Sequence, residues 1–172
     1  ALDHAHRQGV VHRDLKPGNV FLVDAPAGPP AVKLLDFGLA KFQEPGAFGH
    51  HTVLTANGAV LGTPDYMAPE QIFGPKIDAR TDVYAAGILL FELLTGQVPF
   101  AYDELTDIFR AHAVERPPTL AVACAARTFA PELEALVARA LEKRMDDRFA
   151  DARAMRTALA RLPKGRTLVG PA

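Results

Sequence analysis

There is no serine anywhere in the 172 residues. Hydroxyl chemistry on the chain itself therefore falls to threonine or tyrosine. Cysteine occurs once, at Cys124, so no disulfide can close within the chain. That suits a reducing compartment, and the expected place of such a thiol is as core filler. Net charge is nearly absent too: -1 at pH 7, from 19 basic and 20 acidic residues. Attraction to nucleic acid or to an anionic membrane by bulk charge is thereby excluded. Long apolar runs are missing as well. A membrane helix needs roughly 20 apolar residues; the longest run here, Val83 to Leu94, is shorter and is broken by Glu92. No signal peptide and no internal repeat is visible.

What is present is ordinary for a globular protein, 49% hydrophobic and 23% charged. A domain of this length buries roughly 70% of its unfolded surface, enough for a real core. The opening ALDHAHRQG reads as the last turns of a helix closed by Gly9. A helix that begins in its middle, without methionine, predicts a chain cut from something longer. Pro163 to Ala172 is rich in proline and glycine and reads as a linker.

The chain is organised around Val10 to Asn19, VVHRDLKPGN. Asp14 and Asn19 are oxygen-bearing groups that can handle a metal or a proton, and the cations Arg13 and Lys16 lie among them. Pro17 and Gly18 forbid a regular helix or strand, so this is a shaped loop. Charge concentrated in a loop beside an apolar segment marks a site held on a scaffold. Beyond it, Val20–Val23 and Val32–Leu35 are expected to pair as a hairpin across the loose turn DAPAGPPA. Asp36-Phe37-Gly38 is a turn. Leu39 to Tyr66 has neither helical nor strand period, and a connection of that length points to function or mobility. Helices are expected over Thr81–Thr95, closed by Gly96, and over Tyr102–Val114, Pro131–Leu141 and Asp151–Leu162. The first is apolar nearly all round and should be buried. Asp151 is the expected N-cap of the last.

HRDLKPGN, a hairpin, DFG, a long loop, GTPDYMAPE and then an apolar helix follow one another in order. This succession resembles the large lobe of a eukaryotic-like (Hanks-type) serine/threonine protein kinase, and MAPEQ with the following GQVPF is similar to the bacterial branch. The resemblance spans Ala1 to about Leu162, with residues 163–172 left as tail. It implies an α+β, protein-kinase-like fold: a mainly helical C-terminal lobe with a short β-hairpin, the small N-terminal lobe being absent. The implied activity is transfer of the γ-phosphoryl group of Mg-ATP to serine or threonine hydroxyls of proteins. The implied cofactors are ATP and Mg²⁺.

The resemblance also implies roles for single residues. Asp14 matches the catalytic aspartate that orients the hydroxyl and accepts its proton; taken alone it could as well be a loop aspartate capping a turn. Asn19 and Asp36 match the magnesium ligands, and oxygen donors are what that cation takes. Lys16 matches the lysine that meets the transferring phosphate. Phe21 matches a residue that packs beneath adenine, and Thr63 one that positions hydroxyl substrates. His12, Phe37 and Gly38 are expected to be structural, with His12 packed rather than catalytic. Asp82 should accept backbone N–H bonds from the catalytic loop, and Glu70 and Arg148 should form a buried ion pair. Arg13 matches the arginine that grips a phosphorylated activation loop, with Thr55 the first expected acceptor and Thr52 the second. His50 and His51 lack acidic or cysteine partners at ligand spacing, so they read as solvated.

The glycine-rich loop, strand lysine and helix glutamate of the small lobe are not in the sequence. The chain is therefore expected to be inactive alone. Protein substrates are the expected partners, with transient self-association for phosphorylation in trans, and no nucleic acid. The expected location is cytoplasmic, although the full-length protein could be membrane-anchored. Two other readings stay open: a noncatalytic scaffold of the same fold, and a small-molecule phosphotransferase of related fold. All four of Asp14, Lys16, Asn19 and Asp36 stand against the first, and GTPDYMAPE, a peptide-substrate platform in the family, against the second.

Overall fold

The computed structural model describes residues 1–24, 28, 30–37, 63–74, 76–163 and 168–169. Gly38, Thr52 and Thr55, with His50, His51 and Gly62, lie outside them.

The fold is built on one long helix, α3, Ala79–Thr95. It starts two residues before the expected Thr81, because Asp78 rather than a later residue caps it: the Asp78 carboxylate accepts the Arg80 N–H at 3.0 Å. Arg80 returns onto that carboxylate through its guanidinium and pulls the Asp78 acid below its usual range. The helix ends where Gly96 takes a left-handed backbone (φ +83°) and returns its N–H to Glu92 O. Val83, Tyr84, Ile88 and Phe91 on α3 are fully buried. They pack with Leu133, Leu136, Val137 and Ala140 of α6 (Pro131–Ala140) and with Met155 of α7 (Ala152–Ala160). Burial all round is not seen in the last turn, where Leu93 is 72% exposed. Cys124 is half-buried at the margin of this core.

The hairpin forms one residue earlier than expected in its second arm. β1 (Val20–Val23) pairs antiparallel with β2 (Ala31–Leu34), Val20 opposite Leu34. A two-stranded ribbon cannot bury both faces, and Phe21, Leu22 and Val32 stay exposed. α1 (Leu2–Arg7) precedes the central loop, with Gly9 at φ +72° turning the chain away. α2 (Pro69–Phe73) leads toward α3. α4 is Leu105–Val114, shorter than expected. Tyr102 lies before it and bonds Glu115 at 2.8 Å.

One short α-helix and two strands were not foreseen. α5 (Leu120–Ala123) is one turn long, and its exposed donors are met from outside: the Thr119 hydroxyl accepts from Val122 N, and the Glu134 carboxylate from Leu120 N and Ala121 N. β3 (Thr128–Phe129) pairs antiparallel with β4 (Leu168–Val169). Part of the stretch read as linker is thus tied back onto the domain. α7 runs from the expected N-cap, Asp151, whose carboxylate accepts Ala154 N at 2.7 Å. Among the described residues no helix is long and apolar enough to cross a membrane.

Gly87 of α3 faces Ala140, the last residue of α6, and the Leu141 that follows it. A Cβ there would lie 2.9 Å from Ala140 Cβ and 3.0 Å from Leu141 Cδ2. Gly87→Val should lower unfolding stability by about 1–3 kcal/mol through overpacking, measured by urea denaturation.

Candidate active site

Asp82, in the first turn of α3, is fully buried. An unpaired carboxylate could not survive there. Oδ2 accepts the His12 N–H at 2.7 Å and Oδ1 the Arg13 N–H at 2.8 Å. A third donor is His6, whose Nε2 lies 2.8 Å from Oδ2. The Ala152 N–H points to His6 Nδ1 at 3.4 Å. Nδ1 is therefore the acceptor, and Nε2–H donates to Asp82. The start of the loop is thus held by Asp82 of α3, which His6 of α1 supports, and His6 in turn meets α7 through Ala152.

Arg13 has φ +66°, a left-handed backbone that costs a non-glycine residue roughly 1–2 kcal/mol. Bonds on both sides of the residue hold it there. Its N–H goes to Asp82, and its C=O accepts from Gln71 Nε2 at 2.8 Å. Gln71 Oε1 in turn accepts Ala68 N at 3.0 Å, so α2 is tied to the loop. Burial lowers the pKa of the Arg13 guanidinium, and Asp82 opposes that shift.

His12 is also buried, and both its nitrogens are in use. Nδ1 accepts the Asp14 N–H at 3.3 Å, which leaves Nε2–H for Leu35 O at 3.0 Å. The ring packs on Phe37 with centroids 4.6 Å apart. The Leu35 N–H reaches Asn19 O at 3.0 Å. Asp36, between Leu35 and Phe37, is itself left-handed at φ +53°. The turn carrying Asp36 is thus fastened to the loop carrying Asp14 on both sides.

Asp14, Lys16 and Asn19 converge. Lys16 Nζ lies 3.1 Å from Asp14 Oδ2, and Asn19 Nδ2 lies 3.3 Å from the same oxygen and 2.7 Å from Asp14 O. Pro17 opens a 3₁₀ turn over Pro17–Asn19 that buries Asn19. With the amide nitrogen committed to Asp14, the Asn19 amide oxygen is the end turned to other uses. That orientation fits a magnesium ligand. Among the described residues no group of three or more His, Cys, Asp or Glu forms a metal cage. Mg²⁺ held with phosphates needs only one or two protein oxygens. Phe21 lies half-exposed on β1. Thr63 is half-buried and begins the turn Pro64–Tyr66 without capping it.

Beneath this layer Glu70 and Arg148 form a two-pronged pair, Nη1–Oε1 and Nη2–Oε2 both at 2.8 Å. Thr81 Oγ1 donates to Glu70 as well, at 2.8 Å. Arg148 also donates to the carbonyls of Arg80, Glu142 and Lys143. Its guanidinium lies 4.7 Å over the Tyr84 ring. Tyr66 donates to Glu92 at 2.5 Å, joining the turn to α3; burial and that bond raise the Tyr66 pKa.

The sequence reading missed His6, Gln71 and Glu92. Gln71 stands three residues after the helix-starting Ala68, the spacing of a capping residue, which was a usable signal. Nothing local signalled the other two. It also missed a polar cluster of Tyr84 (α3), His112 (α4) and Lys143. Tyr84 Oη lies 3.0 Å from His112 Nδ1, and Lys143 Nζ 3.4 Å from Tyr84 Oη. Burial, then the Lys143 charge, push His112 down to about 3, against the pull of the Asp65 and Pro64 backbone. Burial, then Arg148, push Lys143 down to about 8.

The protein kinase domain family matches residues 1–159 of the chain. The chain is 44% identical over 159 residues to serine/threonine-protein kinase Pkn1 of Myxococcus xanthus, covering 92% of the chain and 22% of that protein. It is 41% identical over 166 residues to serine/threonine-protein kinase pkn3 of the same organism, covering 96% and 30%. It is 43% identical over 156 residues to serine/threonine-protein kinase PksC of Streptomyces coelicolor, covering 91% and 26%. The chain thus spans between 22% and 30% of the length of these relatives.

Removing one member of the buried pair, as in Arg148→Met, should cost about 3–5 kcal/mol. Glu70→Leu with Arg148→Met should recover only part, because three carbonyls lose their donor. Denaturant unfolding of the single and double variants measures both. His112 gives a pH signature. Its pKa is about 3 folded against 6.5 for the free side chain, so the unfolded chain binds the proton first. Stability from this group is full above pH 6.5 and falls as pH drops toward 3, by about 1.4 kcal/mol per pH unit. Unfolding followed from pH 7 to 4 should show that slope, and His112→Phe should flatten it.

Proposed function

Because the chain belongs to the protein kinase domain family, we propose that it carries the phosphotransfer site of a serine/threonine protein kinase. The observation that carries this reading is the convergence of Lys16 and Asn19 on one oxygen of Asp14, at 3.1 and 3.3 Å. Phosphoryl transfer asks for positioning and charge neutralisation more than for covalent chemistry. Asp14 orients the attacking hydroxyl and takes its proton. Lys16, already beside Asp14, neutralises charge on the transferring group. Asn19 and Asp36 hold Mg²⁺, which when bound neutralises phosphate charge. Phe21 packs beneath adenine, and Thr63 positions the substrate hydroxyl.

Thr55 and then Thr52 are the acceptors of regulatory phosphate, gripped by Arg13 through charge-assisted bonds. Substrates are proteins presenting serine or threonine. Because the sequence holds no glycine-rich phosphate loop, these 172 residues alone bind Mg-ATP weakly and transfer little. Micromolar Mg-ATP affinity for them in isothermal titration would overturn that last statement.

The decisive experiment uses protein expressed from its complete reading frame, beside an Asp14→Asn copy. After incubation with Mg-ATP, intact mass should show added phosphate that maps to Thr52 or Thr55. Asp14→Asn should slow the gain by about 10²–10⁴-fold. Equal labelling of both proteins would sink the assignment of Asp14. No labelling of either, with Mg-ATP still bound, would favour a noncatalytic scaffold or a small-molecule substrate.

A further inference from the structure

Gln71 stands half-buried in the first turn of α2, and both ends of its amide are in use. Oε1 accepts the Ala68 N–H at 3.0 Å. Nε2 donates to Arg13 O at 2.8 Å, across 58 residues. The two bonds fix each other's sense, since a flipped amide would set oxygen against oxygen and N–H against N–H. As a helix cap alone, glutamate would serve here at least as well. It accepts the same N–H, and its charge suits a helix N-terminus. What a carboxylate cannot do is donate. Glutamine at this place therefore has a second use, and that use lies on the loop.

The bond falls on a particular peptide unit. Arg13 O belongs to the plane that joins Arg13 to Asp14. The N–H of that same plane goes to His12 Nδ1 at 3.3 Å. The plane before it is held through the Arg13 N–H by Asp82, at 2.8 Å. The left-handed Arg13 (φ +66°) thus lies between one plane fixed on α3 and another fixed on α2. That backbone is unfavourable for a residue with a Cβ and persists only while its surroundings hold it. Release on the α2 side turns the plane that carries Asp14. Lys16 and Asn19 grip the Asp14 carboxylate from within the loop; Gln71 reaches it from outside.

We propose that Gln71 is a positioning residue for Asp14: its amide N–H sets the Arg13–Asp14 peptide and so aims the carboxylate at the hydroxyl to be phosphorylated. The inference rests on the kinase reading and adds to it a support on α2, distinct from the anchor on Asp82.

The test uses the protein from its complete reading frame. Initial rates of self-phosphorylation over a range of Mg-ATP give a maximal rate and a half-saturating concentration separately. Denaturant unfolding of the same samples gives stability. Gln71→Met removes both bonds at little change in volume. It should lower the maximal rate about ten- to a hundredfold, the reach of a misplaced catalytic group. Half-saturating Mg-ATP should stay within about twofold of the parent value. Gln71→Glu keeps the acceptor for Ala68 N and loses the donor to Arg13 O. It should unfold at a higher denaturant midpoint than Gln71→Met, yet label no faster. A residue that merely capped α2 would rank the two variants alike in stability and in rate. Gln71→Glu labelling faster than Gln71→Met, or either variant labelling at the parent's rate, would therefore overturn the proposal. So would a loss that lies in half-saturating Mg-ATP. A parent protein that does not label itself would instead remove the kinase reading on which the proposal stands. Nitrogen-15 NMR gives a check independent of turnover. The Asp14 amide shares its peptide with Arg13 O, so its signal should move in both variants, and an unmoved signal rules the hold out.

Discussion

One buried carboxylate, Asp82, carries the geometry of the candidate site. Its two oxygens collect the N–H groups of His12 and Arg13 and the ring of His6. None of these donors is near it in sequence. The loop that presents Asp14 has little regular structure of its own, only the single turn Pro17–Asn19. It therefore takes its shape from an anchor on a rigid helix. The left-handed Arg13 follows from this. A strained conformation persists only when neighbours over-determine it, and here Asp82 and Gln71 hold both sides of the residue.

The second support is layered under the first. Glu70 and Arg148 join α2 to the segment after α6, and Arg148 lies over Tyr84 on α3. Arg148 meets five acceptors in all: two carboxylate oxygens and three carbonyls. A buried charge is tolerable when its donors are used so fully. The same guanidinium helps to keep Lys143 below its usual range. Ion pair, tyrosine, lysine and histidine thus form one continuous polar seam through an otherwise apolar core.

Much of this was legible in the chain, for identifiable reasons. HRDLKPGN and DFG are dense with residues whose chemistry is specific, and α3 announces itself by length, apolarity and Gly96. The start of α3 was misplaced because Asp78 and Asp82 both stand where a cap could be. Only the fold tells which one meets Arg80 N and which turns inward. α5 escaped notice because its one turn is stabilised by Glu134, fourteen residues from Leu120. β4 escaped because two residues paired across the domain leave no period to read. His6, Glu92 and His112 carry no local mark at all. Each has meaning only through a partner on another element.

The span of these bonds has a consequence for assembly. The anchor bond from His12 to Asp82 crosses 70 residues, the Arg148–Glu70 pair 78, and the contact of Ala152 with His6 146. Helices such as α3 can form from neighbours alone, but non-local closures of this kind come late, after the entropy of long loops has been overcome. On a ribosome, the loop bearing Asp14 emerges before α3 and stays unshaped until α3 follows it. Its anchor Asp82 is not fully supported until α7, which meets His6, has been made. The part of the chain that bears the chemistry is thus synthesised before the elements that give it its shape.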